Sequence, residues 1–161
     1  MVNILAAGPE HVAGIARLAD VVWLAHYPGI ISHEQIDYML RKMYDLDVLR
    51  NEMANGIVYL RALQGDQLLG FAAYGPAGKE IKLHKLYVHP EHQRRGIGRA
   101  LMEHVERACG GRTLMLTVNK RNQKAVAAYE KHGFVVRESV VVDIGGGFVM
   151  DDYVMEKRQK G

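Results

Sequence analysis

The stretch Leu86-Tyr87-Val88-His89-Pro90-Glu91-His92-Gln93-Arg94-Arg95-Gly96-Ile97-Gly98-Arg99-Ala100-Leu101-Met102 changes character at its centre. Up to Val88 it is rich in strand formers, and Pro90 cannot continue a sheet ladder. From Arg99 the apolar stripe is Leu101, Val105, Ala108 and Cys109, with Glu103, Glu106 and Arg107 on the other side. Between strand and helix lies a loop with two glycines two apart, flanked by arginines. Glycine reaches positive φ and lets a ligand approach the backbone without a Cβ in the way. The first amides of a helix are unpaired at its positive end. Gly96, Ile97 and Gly98 thus describe an anion cradle suited to phosphate, to which Arg94, Arg95 and Arg99 add charge-assisted hydrogen bonds. The glycines alone fit equally well a tight turn into a helix with solvated arginines. A dinucleotide fingerprint is excluded because position 101 is Leu where a third Gly is needed, and the Gly-Lys-Ser/Thr of a Walker loop is absent.

Outward from this stretch the chain alternates cleanly. Residues 2–6 read as a strand, and Val12, Ile15, Ala16, Ala19, Val22 and Trp23 recur at helical spacing from Pro9 to about Ala25, before Pro28-Gly29. Ser32-His33-Glu34-Gln35 has capping-box form and opens a helix through Tyr44, and Asp45 caps a short one to about Ala54. Strands 57–63 and 68–74 meet at Gln64-Gly65-Asp66-Gln67, Gly75-Pro76-Ala77-Gly78 turns, and 81–88 forms a third strand. A helix at 98–109, a strand at 113–118, a helix at 122–132 and strands at 134–143 and 148–157 follow. The order reads βααβββαβαββ, with the helix after Asp45 in addition. It predicts an α+β fold: a mixed sheet with helices on its faces, one domain over residues 2–160.

A second constellation is Asn119-Lys120-Arg121-Asn122-Gln123-Lys124-Ala125-Val126-Ala127-Ala128-Tyr129-Glu130-Lys131-His132-Gly133-Phe134. Asn122 suits an N-cap and Gly133 a C-terminal stop. Tyr129 lies about two turns after Asn122, so both project from one face. A tyrosine there serves as a proton donor or as a packed aromatic; the helix alone does not choose.

Together these segments resemble the GNAT superfamily of acetyl-CoA-dependent N-acetyltransferases. Gln93-Arg94-Arg95-Gly96-Ile97-Gly98 looks like its Gln/Arg-x-x-Gly-x-Gly/Ala signature, and Asn122…Ala125…Tyr129…Gly133-Phe134 like its second helix. Leu83 to Val88 and the tail Asp143-Ile144…Asp151-Asp152-Tyr153-Val154-Met155 resemble a bacterial branch of spermine/spermidine-type acetyltransferases. The resemblance implies a mostly antiparallel sheet with a V-shaped splay between two parallel strands. It implies acetyl-CoA as cosubstrate, with Leu86, Tyr87 and Val88 against the pantetheine arm, the amides of Arg95 to Arg99 on the pyrophosphate, Asn122 on the arm and Tyr129 near the sulfur. The acceptor it implies is a primary amine on a small molecule such as a polyamine, attacking directly in a ternary complex. Acetylation of a protein N-terminus or lysine, and a silent acyl-CoA sensor, are the rival readings.

The chemistry constrains the remaining residues. An alkylammonium with pKa near 10.4 is only about one part in a few thousand neutral at pH 7, so a base or a water chain must take its proton. Some members of the family place a glutamate four residues before the equivalent of Leu86; here Lys82 stands there. Period two puts Glu80 and His84 on the same strand face as Lys82, and His84 has the right unperturbed pKa range. His84, His89, His92 and His104 spread over strand, loop and helix, so no metal is expected. The +3 formal charge and pI near 9.0 lack the aromatic–basic interleaving of a nucleic-acid platform. With one cysteine, no signal-like start and no long apolar run, a cytoplasmic protein without membrane contact is expected. A homodimer is left open.

Overall fold

The computed structural model describes residues 1–160. Seven strands form one sheet: β1 (Asn3–Ala6), β2 (Val58–Gln64), β3 (Gln67–Ala77), β4 (Glu80–Val88), β5 (Leu114–Asn119), β6 (Val135–Gly145) and β7 (Phe148–Lys157). Their spatial order is β1-β2-β3-β4-β5-β7-β6, antiparallel except at β4–β5. The helices are α1 (Val12–His26), α2 (His33–Tyr44), α3 (Leu46–Ala54), α4 (Ile97–Ala108) and α5 (Gln123–Lys131). Among them, none is long and apolar enough to cross a membrane.

Periodicity decides which face each helix covers. Ile15, Val22 and Trp23 of α1, Ile36 of α2 and Leu49 of α3 pack against Tyr59 and Phe71 on one side of the sheet. Ile97, Leu101 and Val105 of α4 pack against Leu60, Leu69, Leu83 and Leu114 on the other. Each such fully buried side chain contributes roughly 1.5–3 kcal/mol by leaving water. Ser32 caps α2 by accepting from Gln35 N–H (3.1 Å), and Asp45 caps α3 through Asp47 N–H (3.2 Å).

The parallel pairing of β4 with β5 lasts for two residue pairs, Ile81 with Leu114 and Lys82 with Met115. Beyond them the strands splay. An extra residue in β4 accompanies the departure: Leu83 opposes Tyr74 and Lys85 opposes Ala73, which leaves His84 unmatched in a β-bulge. The alternation reverses there. Leu83 belongs to the core under α4, whereas Tyr87, four residues on, belongs to the core under α1. The phase shifts only after His84, so Lys82 and His84 line the same cavity, while Lys85 and Tyr87 take the α1 side that unbroken alternation would have given to Leu86 and Val88.

Gly75-Pro76-Ala77 is not a turn, contrary to the reading from composition; β3 runs on to Ala77, with Pro76 opposite Ile81. Ile81 N–H donates instead to Thr113 C=O (2.9 Å), and β2 has already ended opposite Tyr74, so no ladder bond is asked of Pro76.

Candidate active site

The loop after β4 delivers the first half of the site. Gly96 adopts φ +78° as N-cap of α4, and Ala100 N–H donates to Gly96 C=O (3.0 Å) as the first helical bond. The amides of Ile97, Gly98 and Arg99 consequently have no intrahelical acceptor. A Cβ on Gly96 would meet nothing within 4 Å, and one on Gly98 only Val88 Cγ2 at 3.6 Å, so the approach to these amides is unobstructed. Arg94 is the one non-glycine residue with positive φ among the described residues (+65°).

The arginines divide. Arg94 and Arg99 line the cavity beside the cradle, although Arg99 also pairs with Glu103 (3.0 Å). Arg95 does not line it: its guanidinium lies 2.8 Å from His92 Nδ1 and 3.3 Å from Gln64 Oε1. The cation that reading the sequence missed is Lys124 in the first turn of α5, which reaches Gln93 Oε1 (3.3 Å) across the loop. His89, Glu91 and His92 bring ligand-type atoms within 4.8 Å of one another, while His84 and His104 lie elsewhere. His89 Nδ1 already accepts from Glu91 N–H, and His92 Nδ1 faces the Arg95 guanidinium, a poor neighbour for a cation.

The splay supplies the second half. His89 N–H donates to Leu69 C=O (2.7 Å), so by alternation Lys85 and Tyr87 pair towards β3, while Leu86 and Val88 turn their N–H and C=O towards the splay. Asn122, buried, caps α5 by accepting from Ala125 N–H (3.3 Å), and its Oδ1 also meets His26 Nε2 (3.0 Å). Tyr129 lies on the same helix and lines the same cavity as Asn122. Its hydroxyl makes no protein hydrogen bond among the described residues, and burial, reinforced by nearby Tyr27, raises its pKa so that it keeps its proton.

Away from the cradle the cavity, about 870 Å³ in all, is walled by apolar side chains, among them Val22, Met39, Met43, Val142, Ile144 and Met150. Into this half come Lys82, His84 and Asp152. Burial, with help from Lys82 and Lys85, lowers the His84 pKa, which leaves it neutral at pH 7. Glu80 is not in the cavity wall; both its oxygens accept from Arg137 (3.1 and 2.8 Å). Asp152 is 7% exposed, and burial and Asp151 raise its carboxyl to about 6 despite Lys82 and Lys120. Sequence reasoning did not select Asp152 for the chemistry. The available signal was phase, since Asp152 and Val154 alternate inward on β7 and both are buried.

A helix amino end with free amides, set beside a splayed parallel pair and a protonated tyrosine, forms a cavity suited to a phosphate-bearing ligand. The sequence matches the Acetyltransferase (GNAT) family over residues 16–134. It is 27% identical over 157 residues to the spermidine N(1)-acetyltransferase of Thermoplasma acidophilum, covering 92% of each chain. It is 39% identical over 75 residues to the [ribosomal protein bS18]-alanine N-acetyltransferase of Escherichia coli, covering 44% of this chain and 50% of that one. The PaiA N-acetyltransferase of Thermoplasma acidophilum, solved in complex with coenzyme A, superposes with a TM-score of 0.83 at 27% identity, covering 98% of this chain and 99% of that one. The chain belongs to the GNAT acetyltransferase family, and acetyl-CoA is its cosubstrate.

Proposed function

We propose that this chain acetylates a primary amine on a small molecule by direct attack in a ternary complex, and that a polyamine such as spermidine, the acceptor in a relative's name, is the first to test. The observation that carries this reading is the continuity of one cavity from the amides of α4, past the splay, to the apolar walls from α1, α2 and β6. Two reactants bound at its two ends meet at the splay.

The cosubstrate supplies an activated acetyl thioester; the chain supplies position and protons. Ile97, Gly98 and Arg99 N–H groups, with Arg94 and Lys124, hold pyrophosphate oxygens. Leu86 and Val88 pair with the amide groups of the pantetheine arm, and a free amide at that strand end receives the oxyanion. Asn122 offers its Nδ2 to the arm. Tyr129 donates to the departing sulfur, and His84, neutral at pH 7, lines the acceptor side, where it can relay protons to solvent.

A screen of small amines, peptides and buffer alone with a thiol-release readout tests the reading, with calorimetry for acetyl-CoA alongside. Turnover of small amines supports it. Turnover of peptides alone assigns the chain to protein acetylation, and binding without any turnover makes it a sensor.

A further inference from the structure

The acceptor half of the cavity has a charge problem. Among the described residues that line the cavity, Lys82, Lys85, Arg94, Arg99, Lys124 and Lys131 are cationic, and Asp152 is the one carboxylate. Lys85 is spoken for: buried under α3, it pairs with Glu52 (3.1 Å) and the Tyr59 hydroxyl. An amine entering as its ammonium ion meets a single group of opposite sign.

That group is placed for the task. Asp152 pairs in register with Asn119, the last residue of β5, and with Val140 of β6. It therefore lies at the wide end of the splay, beyond the point where β4 and β5 have parted. Its Oδ1 is buried without a protein hydrogen-bond partner, and no ion pair forms on its carboxylate among the described residues. The charged and titratable groups around it are Lys82 from β4, Lys120 after β5, Asp151 on β7 and Tyr27 on α1. Lys120 is already paired with Asp151 at 2.9 Å, and Tyr27 with the Tyr87 hydroxyl at 3.1 Å. A buried, unpaired carboxylate costs free energy in the empty fold, and a cationic ligand repays it.

We propose that Asp152 binds the acceptor's ammonium group and takes its proton, so that deprotonation is carried out from β7 rather than from the β4 position occupied by Lys82. The inference rests on the amine-acetylation reading above. In the step, the Asp152 carboxylate accepts one N–H proton. The freed nitrogen lone pair forms the N–C bond to the thioester carbonyl, the C–S electron pair leaves on sulfur, and Tyr129 protonates that sulfur. The second proton of the nitrogen and the one on Asp152 pass to solvent and to Tyr129, so the balance is amine ion plus thioester to amide, thiol and one proton.

The test uses Asp152→Asn and Asp152→Glu with two acceptors: an alkylamine, cationic at pH 7, and an alkoxyamine, whose nitrogen is already unprotonated. Asp152→Asn is expected to keep acetyl-CoA affinity and to lose roughly 10²-fold or more in kcat/KM with the alkylamine, the range of general base catalysis, but far less with the alkoxyamine. Calorimetry without acetyl-CoA should show alkylammonium binding to wild type and not to Asp152→Asn. Wild-type kcat/KM for the alkylamine should level off above about pH 6–7, because the ion is the species bound, whereas in Asp152→Asn it should climb towards the amine's own pKa. Partial recovery in Asp152→Glu supports the proposal. Unchanged kcat/KM in Asp152→Asn, or equal losses with both acceptors, overturns it while leaving the amine-acetylation reading intact. A wild-type enzyme that binds acetyl-CoA and acetylates no amine overturns both.

Discussion

His26 Nε2 lies 3.0 Å from Asn122 Oδ1, a contact that joins the last residue of α1 to the cap of α5 across 96 positions of sequence. The same oxygen accepts from Ala125 N–H, so both functions of Oδ1 are internal and only Nδ2 is left for a ligand. Asn122→Ala should lose about 1 kcal/mol of stability with the cap, a fall of roughly 2–4 °C in Tm for a chain of this size. Asn122→Asp keeps the acceptor and removes the donor. It should hold its Tm yet bind acetyl-CoA more weakly by calorimetry; undiminished affinity would remove Asn122 from the cofactor site.

The two glycines of the cradle should respond differently. Gly96 has φ +78°, so Gly96→Val strains the backbone by about 1–2 kcal/mol and lowers Tm as well as acetyl-CoA affinity. Gly98 is helical with ordinary space around it, so Gly98→Val should fold with little change and weaken binding by occupying the approach to the amides. If Gly98→Val binds acetyl-CoA as tightly as wild type, the phosphates are held somewhere else.

Tyr129→Phe removes a hydroxyl that has no protein partner, so packing against Phe134 should survive. As proton donor to sulfur, the phenol contributes to kcat, and its loss should lower kcat by roughly 10²-fold with a much smaller change in KM for acetyl-CoA. Single-turnover kinetics check that the chemical step limits the rate. Full kcat from pH 6 to 9 under that condition would rule out the role.

Asp152 also makes a stability prediction of its own. Burial, then Asp151, raise its pKa from 3.8 to about 6, so the folded state binds the proton more tightly than the unfolded chain. The resulting penalty is absent well below pH 4, grows between the two values and is complete above about pH 6, reaching at most about 3 kcal/mol. Asp152→Asn should therefore be more stable than wild type at pH 8, and the gain should shrink by about 1 kcal/mol on going to pH 5. Urea unfolding at both pH values measures this; a gain that does not vary with pH would contradict the raised pKa.

Much of the fold was legible along the chain because its signals are local. Periods of 2 and 3.6, the Ser32 and Asn122 caps and the glycine pair at the start of α4 each act within a few residues, and the elements they imply are those observed. Most element ends moved by one or two residues, the first helix opens with a 3-10 turn over Pro9–His11 before α1 begins at Val12, and β3 reads short because Pro76 looks like a breaker until its neighbours are known.

The candidate site was legible where one segment carries it and illegible where several meet. Residues 93–99 and 122–129 announce an anion cradle and a capped helix by their own composition, and the family resemblance turns them into a cosubstrate site. Nothing within a few residues of His84 says that it is the bulged residue; that depends on the pairing of Leu83 with Tyr74 and Lys85 with Ala73 in another strand. Nothing near Arg95 says that its guanidinium turns to His92 and Gln64, or near Asp152 that β4, β5, β6 and α1 close around it. Capping, amphipathicity and turn chemistry are properties of short stretches, so the sequence by itself determined the elements, the cradle and the kinship. Burial, register and the field at a carboxylate are sums over residues distant in the chain, so only the tertiary structure decided which charge stands at the wide end of the splay.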